Sequence, residues 1–169
     1  MIAYQASSQE EDMIYSYPGI VEPLKPVPLT KTVREILEIV QKLSGHKFNS
    51  VHGNLYRDGR DHVSWHTDQD LPLYGEDPCI TSVSFGAERE FLMREMTGEC
   101  YTDSWKPKTD GKMYSYSLKD GSILVMRGET QRHWEHCVLK KPMLKGRTCA
   151  LGGPRINLTF RLVAQDLVH

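Results

Sequence analysis

Residues 155–161 read RINLTFR. A strand's period of two places Arg155, Asn157, Thr159 and Arg161 on one face and Ile156, Leu158 and Phe160 on the other, with Leu162 continuing the apolar side. The apolar face calls for a second layer. Two arginines on the opposite face are costly in an interior without anions, because buried charge must be paired. A small dicarboxylate would pair both, since guanidinium grips carboxylate bidentately. An exposed edge strand with solvated arginines remains the alternative at this point.

Working back along the chain, short strand-like runs fall at 49–57, 63–67, 80–86, 89–94, 114–118, 122–127 and 134–139, with Asp58-Gly59 and Asp120-Gly121 as turn signals. With 155–163 this makes a series of strands without intervening helices, which points to a sandwich, barrel or jelly roll. One helix precedes them. Val33, Ile36, Leu37, Val40 and Leu43 recur at helical spacing, Thr32 and Glu35 have capping-box spacing, and Gly45 offers a stop, so the pattern predicts a helix over 31–44. Residues 1–30 are acidic and then punctuated by Pro18, Pro23, Pro26 and Pro28, which predicts extended or lid-like chain. Stretches 96–113 and 142–154 read as inserted surface loops.

The composition bounds the class. At 169 residues, 39% hydrophobic and 25% charged, the chain can bury one core and is neither low-complexity nor wholly disordered. No apolar run approaches the ~18–20 residues that cross a bilayer, and the amino terminus lacks a signal peptide's order, so a soluble intracellular protein is expected. Cys79, Cys100, Cys137 and Cys149 form no CxxC pair, which suits a reducing compartment. The net charge of −1 excludes a basic nucleic-acid coat. Basic residues nevertheless concentrate in 127–161, where a local anionic ligand or a solvated face would both account for them.

The strongest local chemical signal is His66-Thr67-Asp68, because residues two apart on a strand share a face and can converge on one metal ion. His136, on a later strand, would complete a two-histidine, one-carboxylate triad of the kind that leaves coordination positions open on iron(II). Asn54 and Tyr56 share a face and offer an amide and a phenol to carboxylate oxygens. Asp70 continues the face of Asp68, as an acceptor beside the metal or as a solvated turn residue.

Taken in order, FNSVHGNLYRDGRDHVSWHTDQD, ITSVSFGAEREFLMR, MRGETQRHWEHCV and PRINLTFRLV resemble the AlkB family of iron(II)- and 2-oxoglutarate-dependent nucleic-acid dealkylases, particularly its eukaryotic DNA-repair branch. The order agrees from residue 15 to 163. The resemblance implies a mainly β fold, a double-stranded β-helix (jelly roll) over 31–169 with a supporting helix, and a nucleotide-recognition lid over 1–30. It further implies that His66, Asp68 and His136 bind iron(II), and that Asn54, Tyr56, Arg155, Asn157 and Arg161 hold 2-oxoglutarate. Arg155 would take the distal carboxylate and Arg161 the metal-proximal end. Asp70 would contact the exocyclic nitrogen of a damaged base, with Tyr15 and Tyr17 closing over its ring.

The implied reaction consumes O₂ and 2-oxoglutarate, gives succinate and CO₂, and removes an N-alkyl group as formaldehyde from bases of the 1-methyladenine or 3-methylcytosine type in DNA or RNA. Because the chain begins almost at the lid, single-stranded nucleic acid or a flipped base is expected as partner rather than a gripped duplex. Residence in nucleus or cytoplasm is a family expectation. Competing readings are the same oxygenase chemistry on a protein or small molecule, a metal-containing jelly-roll binding module without turnover, and a zinc hydrolase, for which the paired arginines have no task.

Overall fold

The computed structural model describes residues 2–7, 22, 24–98, 105–141 and 152–163. The elements in chain order are β1 (Ile2–Ala6), β2 (Val27–Pro28), α1 (Lys31–Ser44), β3 (Ser50–Tyr56), β4 (Val63–His66), α2 (Leu71–Tyr74), β5 (Ile80–Gly86) and β6 (Arg89–Thr97). After them come β7 (Lys106–Pro107), β8 (Met113–Leu118), β9 (Ile123–Met126), α3 (Thr130–His133), β10 (Trp134–Val138) and β11 (Arg155–Arg161). Six strands form one sheet in the order β2-β1-β3-β11-β5-β9, and a second runs β4-β10-β6-β7, with β8 also paired to β6. Apart from the parallel β1/β2 contact, the pairs are antiparallel. The two facing sheets are the expected jelly roll.

The alternation of β11 decides how the layers stack. Phe160 is fully buried on the outer face of the large sheet, in a cluster with Leu37 and Val40 of α1 and with Phe48, Val51 and Val83. The helix thus covers that face. It starts at Thr30, whose hydroxyl accepts from the Val33 N–H, so the cap lies two residues before the Thr32 that the capping-box spacing suggests. It stops at Gly45, in the left-handed region with φ 75°. Leu43, at the apolar spacing, is left 65% exposed. Between the sheets a second cluster, including Ile80, Phe91, Leu118, Met126 and Val138, fills one end of the interior. The other end is lined by polar side chains.

Three expectations need revision. Ile2–Ala6 is sheet rather than extended chain, because its backbone pairs residue for residue with Ser50–Asn54 of β3. The 96–113 stretch is not wholly a loop: β6 continues to Thr97, Met96 and Thr97 pair with Pro107 and Lys106, and Lys108 Nζ lies 3.1 Å from Glu95 Oε1. The short helices α2 and α3 carry too little periodicity to be legible. Most of 142–154 lies outside the described residues.

Gly86 ends β5 opposite Arg155, with φ +88° and its N–H donating to Asp120 Oδ1 at 2.7 Å. A Cβ built there would lie 2.4 Å from the Pro154 carbonyl oxygen, whereas at Gly45 it would meet nothing within 4 Å. Gly45→Ala should therefore pay only for its backbone conformation, about 1–2 kcal/mol. Gly86→Ala should lose clearly more, because the start of β11 must also move. Urea denaturation of the two variants checks the order, and equal losses would contradict the close approach.

Candidate active site

The register of the large sheet assembles one wall of the site. Tyr56 sits opposite Arg155, Asn54 and Ser84 flank Asn157, and His52 and Ser82 flank Thr159. All of these but Ser84 line a cavity of about 820 Å³, along with Arg161. Arg155 is 1% exposed. Its Nη2 donates to Ser84 Oγ and Asn157 Oδ1, both at 2.9 Å, and Asn157 Nδ2 donates to Thr159 Oγ1 at 2.8 Å. The Nε and Nη1 of Arg155 are buried without a hydrogen-bond partner. The Tyr56 ring lies 5.0 Å from the Arg155 guanidinium and 5.4 Å from that of Arg89. Burial raises the Tyr56 phenol above its ordinary range, against the opposing pull of Arg155, so it stays protonated.

The small sheet supplies the opposite wall. Antiparallel pairing sets His136 directly across from His66, with ring centroids 4.3 Å apart. Asp68 lies just beyond the end of β4. Its Oδ1 is 3.8 Å from His66 Nε2, and its Oδ2 is 3.6 Å from His136 Nε2. The potential ligand atoms of these three residues all fall within 4.8 Å of one another. Three contacts hold the arrangement. Arg161 Nη2 donates to Asp68 Oδ1 at 2.8 Å, the Asp68 N–H donates to Gln131 Oε1 at 2.9 Å, and Phe91 stacks on the His136 ring at 5.1 Å.

Electrostatics favours the forms that bind a cation. Burial alone would raise the Asp68 carboxyl, but the charge of Arg161, which also donates to it, leads the effects that outweigh burial and hold the group well below the usual range. His136 is lowered to about 4, by burial first, with His66 and Arg161 adding to it and Asp68 opposing. His66 Nδ1 lies 2.8 Å from the Ser64 carbonyl oxygen, which can only accept. Nδ1 therefore carries a proton, which leaves Nε2, on the side of Asp68, as the ring atom to take a metal. Two imidazole nitrogens and one ionised carboxylate converging on a point fit iron(II). The free Nη1 of a buried guanidinium in the same cavity fits a carboxylate oxygen of 2-oxoglutarate.

The structure thus gathers His66, Asp68, His136, Asn54, Tyr56, Arg155, Asn157 and Arg161 in one cavity, with Asp70 on its lining. Asn157 is engaged in holding Arg155. Asp70 starts α2, its Oδ1 accepting from the Leu73 N–H at 3.3 Å. Tyr15 and Tyr17 lie outside the described residues. Sequence reasoning did not single out Ser84, His52, Tyr74, Arg89 or Gln131. The alternation in 80–86 could have flagged Ser84, which shares the inward face of β5 with Ile80 and Ser82. Arg89, 2% exposed, donates to the carbonyls of Asp58, Asp61 and Leu139, contacts that no side-chain pattern announces.

Burial, reinforced by Arg161 and opposed by Asp68, lowers His52 to about 3. Both His52 and His136 are therefore neutral in the fold at pH values where an unfolded histidine, near pKa ~6.5, takes a proton. Between these limits the unfolded chain binds more protons, so stability is full above about pH 6.5 and is lost as the pH falls below it. The Asp68 contribution is lost only further down, below about pH 4. Metal-free protein should show a lower urea midpoint at pH 5 than at pH 7, and His52→Gln should shrink that difference. Equal midpoints at both values would contradict the buried neutral histidines.

Residues 2–161 match the family model described as the 2OG-Fe(II) oxygenase superfamily. The chain is 41% identical over 143 residues to DNA oxidative demethylase ALKBH2 of Arabidopsis thaliana, an alignment covering 78% of this chain and 43% of that protein. Human alpha-ketoglutarate-dependent dioxygenase alkB homolog 3 is 33% identical, over 96% of this chain and 57% of its own length. Human DNA oxidative demethylase ALKBH2 is 32% identical, over 94% and 56%. The chain spans about half the length of these curated relatives. Since the match runs from the first strand of the large sheet through its last, the chain belongs to the 2OG-Fe(II) oxygenase superfamily, in its AlkB family.

Proposed function

We propose that this chain is an iron(II)- and 2-oxoglutarate-dependent dioxygenase that removes N-alkyl groups from nucleic-acid bases of the 1-methyladenine or 3-methylcytosine type, in DNA or RNA. The observation that carries the reading is a buried guanidinium with two unpaired donor nitrogens in the same cavity as a histidine–aspartate–histidine cluster. A hydrolytic or purely binding site has no use for that combination. The names of the relatives, DNA oxidative demethylase among them, support the substrate class.

When bound, iron(II) and 2-oxoglutarate supply an oxidant able to hydroxylate an N-methyl carbon, with O₂ consumed and succinate and CO₂ formed. His66, Asp68 and His136 would hold the metal through Nε2, a carboxylate oxygen and Nε2. Arg161 keeps Asp68 ionised and fixed in direction. Arg155, its Nη2 pinned by Ser84 and Asn157, would offer Nη1 to the distal carboxylate of the cosubstrate. The protonated Tyr56 phenol and the Asn54 amide can donate to carboxylate oxygens beside it. Phe91, Met126 and Val138 line the cavity and keep that region poor in water.

Asp70, at the start of α2, is placed to accept from an exocyclic amine of a base. A hydroxylated N-methyl carbon leaves as formaldehyde without a protein general acid. The substrate is read as single-stranded or as a flipped base, met in nucleus or cytoplasm, with Tyr15 and Tyr17 closing over it.

The test is anaerobic loading with iron(II) and 2-oxoglutarate, then air, with mass spectrometry of matched single-stranded, duplex and RNA oligonucleotides bearing 1-methyladenine or 3-methylcytosine. Loss of one methyl mass with matching succinate is expected; cosubstrate turnover without demethylation would overturn the substrate, and neither signal would overturn the enzyme. Asp68→Ala should abolish turnover and metal retention together. Arg155→Ala should raise the 2-oxoglutarate KM roughly ten- to hundredfold, the size of a lost charge-assisted hydrogen bond. Asp70→Ala should change base preference more than it changes cosubstrate use in the absence of substrate.

A further inference from the structure

Gln131 is fully buried, in the four-residue helix α3 that leads into β10 and His136. A primary amide in such a place needs strong partners, since burying one unpaired costs about 1–3 kcal/mol. Among the described residues its Nε2 reaches the thioether of Met126, at 3.5 Å, a weak acceptor. Its Oε1 accepts from the Asp68 N–H at 2.9 Å. That second contact explains why an amide, rather than an apolar side chain, occupies the position.

Asp68 needs such a hold. Residues 67–70 lie between the end of β4 and the start of α2, outside any ladder, so neighbouring strands do not fix the backbone that carries this carboxylate. Arg161 fixes one carboxylate oxygen, and Gln131 fixes the main chain. The platform that bears Gln131 is itself anchored. Thr130 Oγ1 donates to the Arg127 carbonyl at 2.6 Å, and Arg132 makes paired contacts of 2.9 and 3.1 Å with Asp77 in the segment after α2. Gln131 therefore ties the loop bearing Asp68 to the segment that leads into His136.

We propose that Gln131 is a positioning residue for metal capture, holding the Asp68 backbone N–H so that its carboxylate stands at the correct spacing from His136. The proposal rests on the reading of His66, Asp68 and His136 as metal ligands.

Mn(II) titration of metal-free protein, without 2-oxoglutarate and followed by electron paramagnetic resonance, reads the effect without turnover. Gln131→Met keeps length and removes the acceptor; it should weaken Mn(II) binding about 10–100-fold, as for other groups that orient metal ligands. Gln131→Glu keeps an acceptor oxygen and should recover most of that loss. Unchanged affinity in Gln131→Met, or an equal loss in both variants, would overturn the proposal. Asp68→Ala separates the two levels: if it binds Mn(II) like the parent chain, the ligand reading fails instead. Should Gln131→Met not fold, hydrogen exchange at the Asp68 amide of the metal-free parent protein decides. Protection like that of the β10 amides supports the anchor, and exchange at loop rates overturns it.

Discussion

Two guanidinium groups inside a β-sandwich are the constraint around which this molecule is arranged. Arg155 and Arg161 are 1% and 5% exposed on the inner face of one strand, where an uncompensated charge would cost several kcal/mol. They are compensated in different ways. Arg161 has the carboxylate of Asp68 at 2.8 Å. Arg155 has neutral partners, the oxygens of Ser84 and Asn157 and the Tyr56 phenol, so its charge has no protein counterion within those contacts. A buried cation held by neutral acceptors, with two nitrogens to spare, is a receptor for an anion supplied from outside.

The same strand explains why the fold tolerates such an interior. Its other face carries Phe160 into the apolar layer beneath α1, and the sheets bury Ile80, Phe91 and Met126 together at the closed end. Apolar burial of this kind stabilises the scaffold by roughly 25 cal/mol per Å², although Phe91 and Met126 also form part of the cavity wall. The polar half can therefore be built for a ligand. Tyr56 joins the two regions, its ring packed in the interior cluster and flanked by the guanidinium groups of Arg89 and Arg155.

Features encoded in near neighbours were legible in the sequence. The alternation in RINLTFR and the stop at Gly45 depend on residues a few positions apart, and the structure places them accordingly. His66 and Asp68, by contrast, converge although Asp68 lies beyond the end of β4, off the strand whose period suggested the pair. What depends on tertiary partners was not legible. Ile2–Ala6 is a strand because β3 presents an edge to it, and its own acidic surroundings give no sign of that. Thr30 rather than Thr32 caps α1, a choice set by where the chain leaves β2. Ser84 and Arg89 act through atoms far away in sequence, a guanidinium in one case and backbone carbonyls in the other.

The division of labour between the sheets gives the Asp68–Arg161 ion pair a structural meaning beyond charge balance. Asp68 follows β4 of the small sheet, and Arg161 ends β11 of the large one, so this contact bridges the two walls within the cavity. The end of β11 is in turn fixed by Asn49, whose side chain accepts from the Val163 N–H at 2.7 Å and donates to its carbonyl at 2.8 Å. Breaking a buried pair by removing one partner costs about 3–5 kcal/mol, far more than the pair contributes against an apolar replacement. Its value is therefore one of registration. The Asp68 carboxylate, carried after a strand of the small sheet, is aimed by an arginine of the large one, so the pair fixes the two walls of the cavity in register with each other.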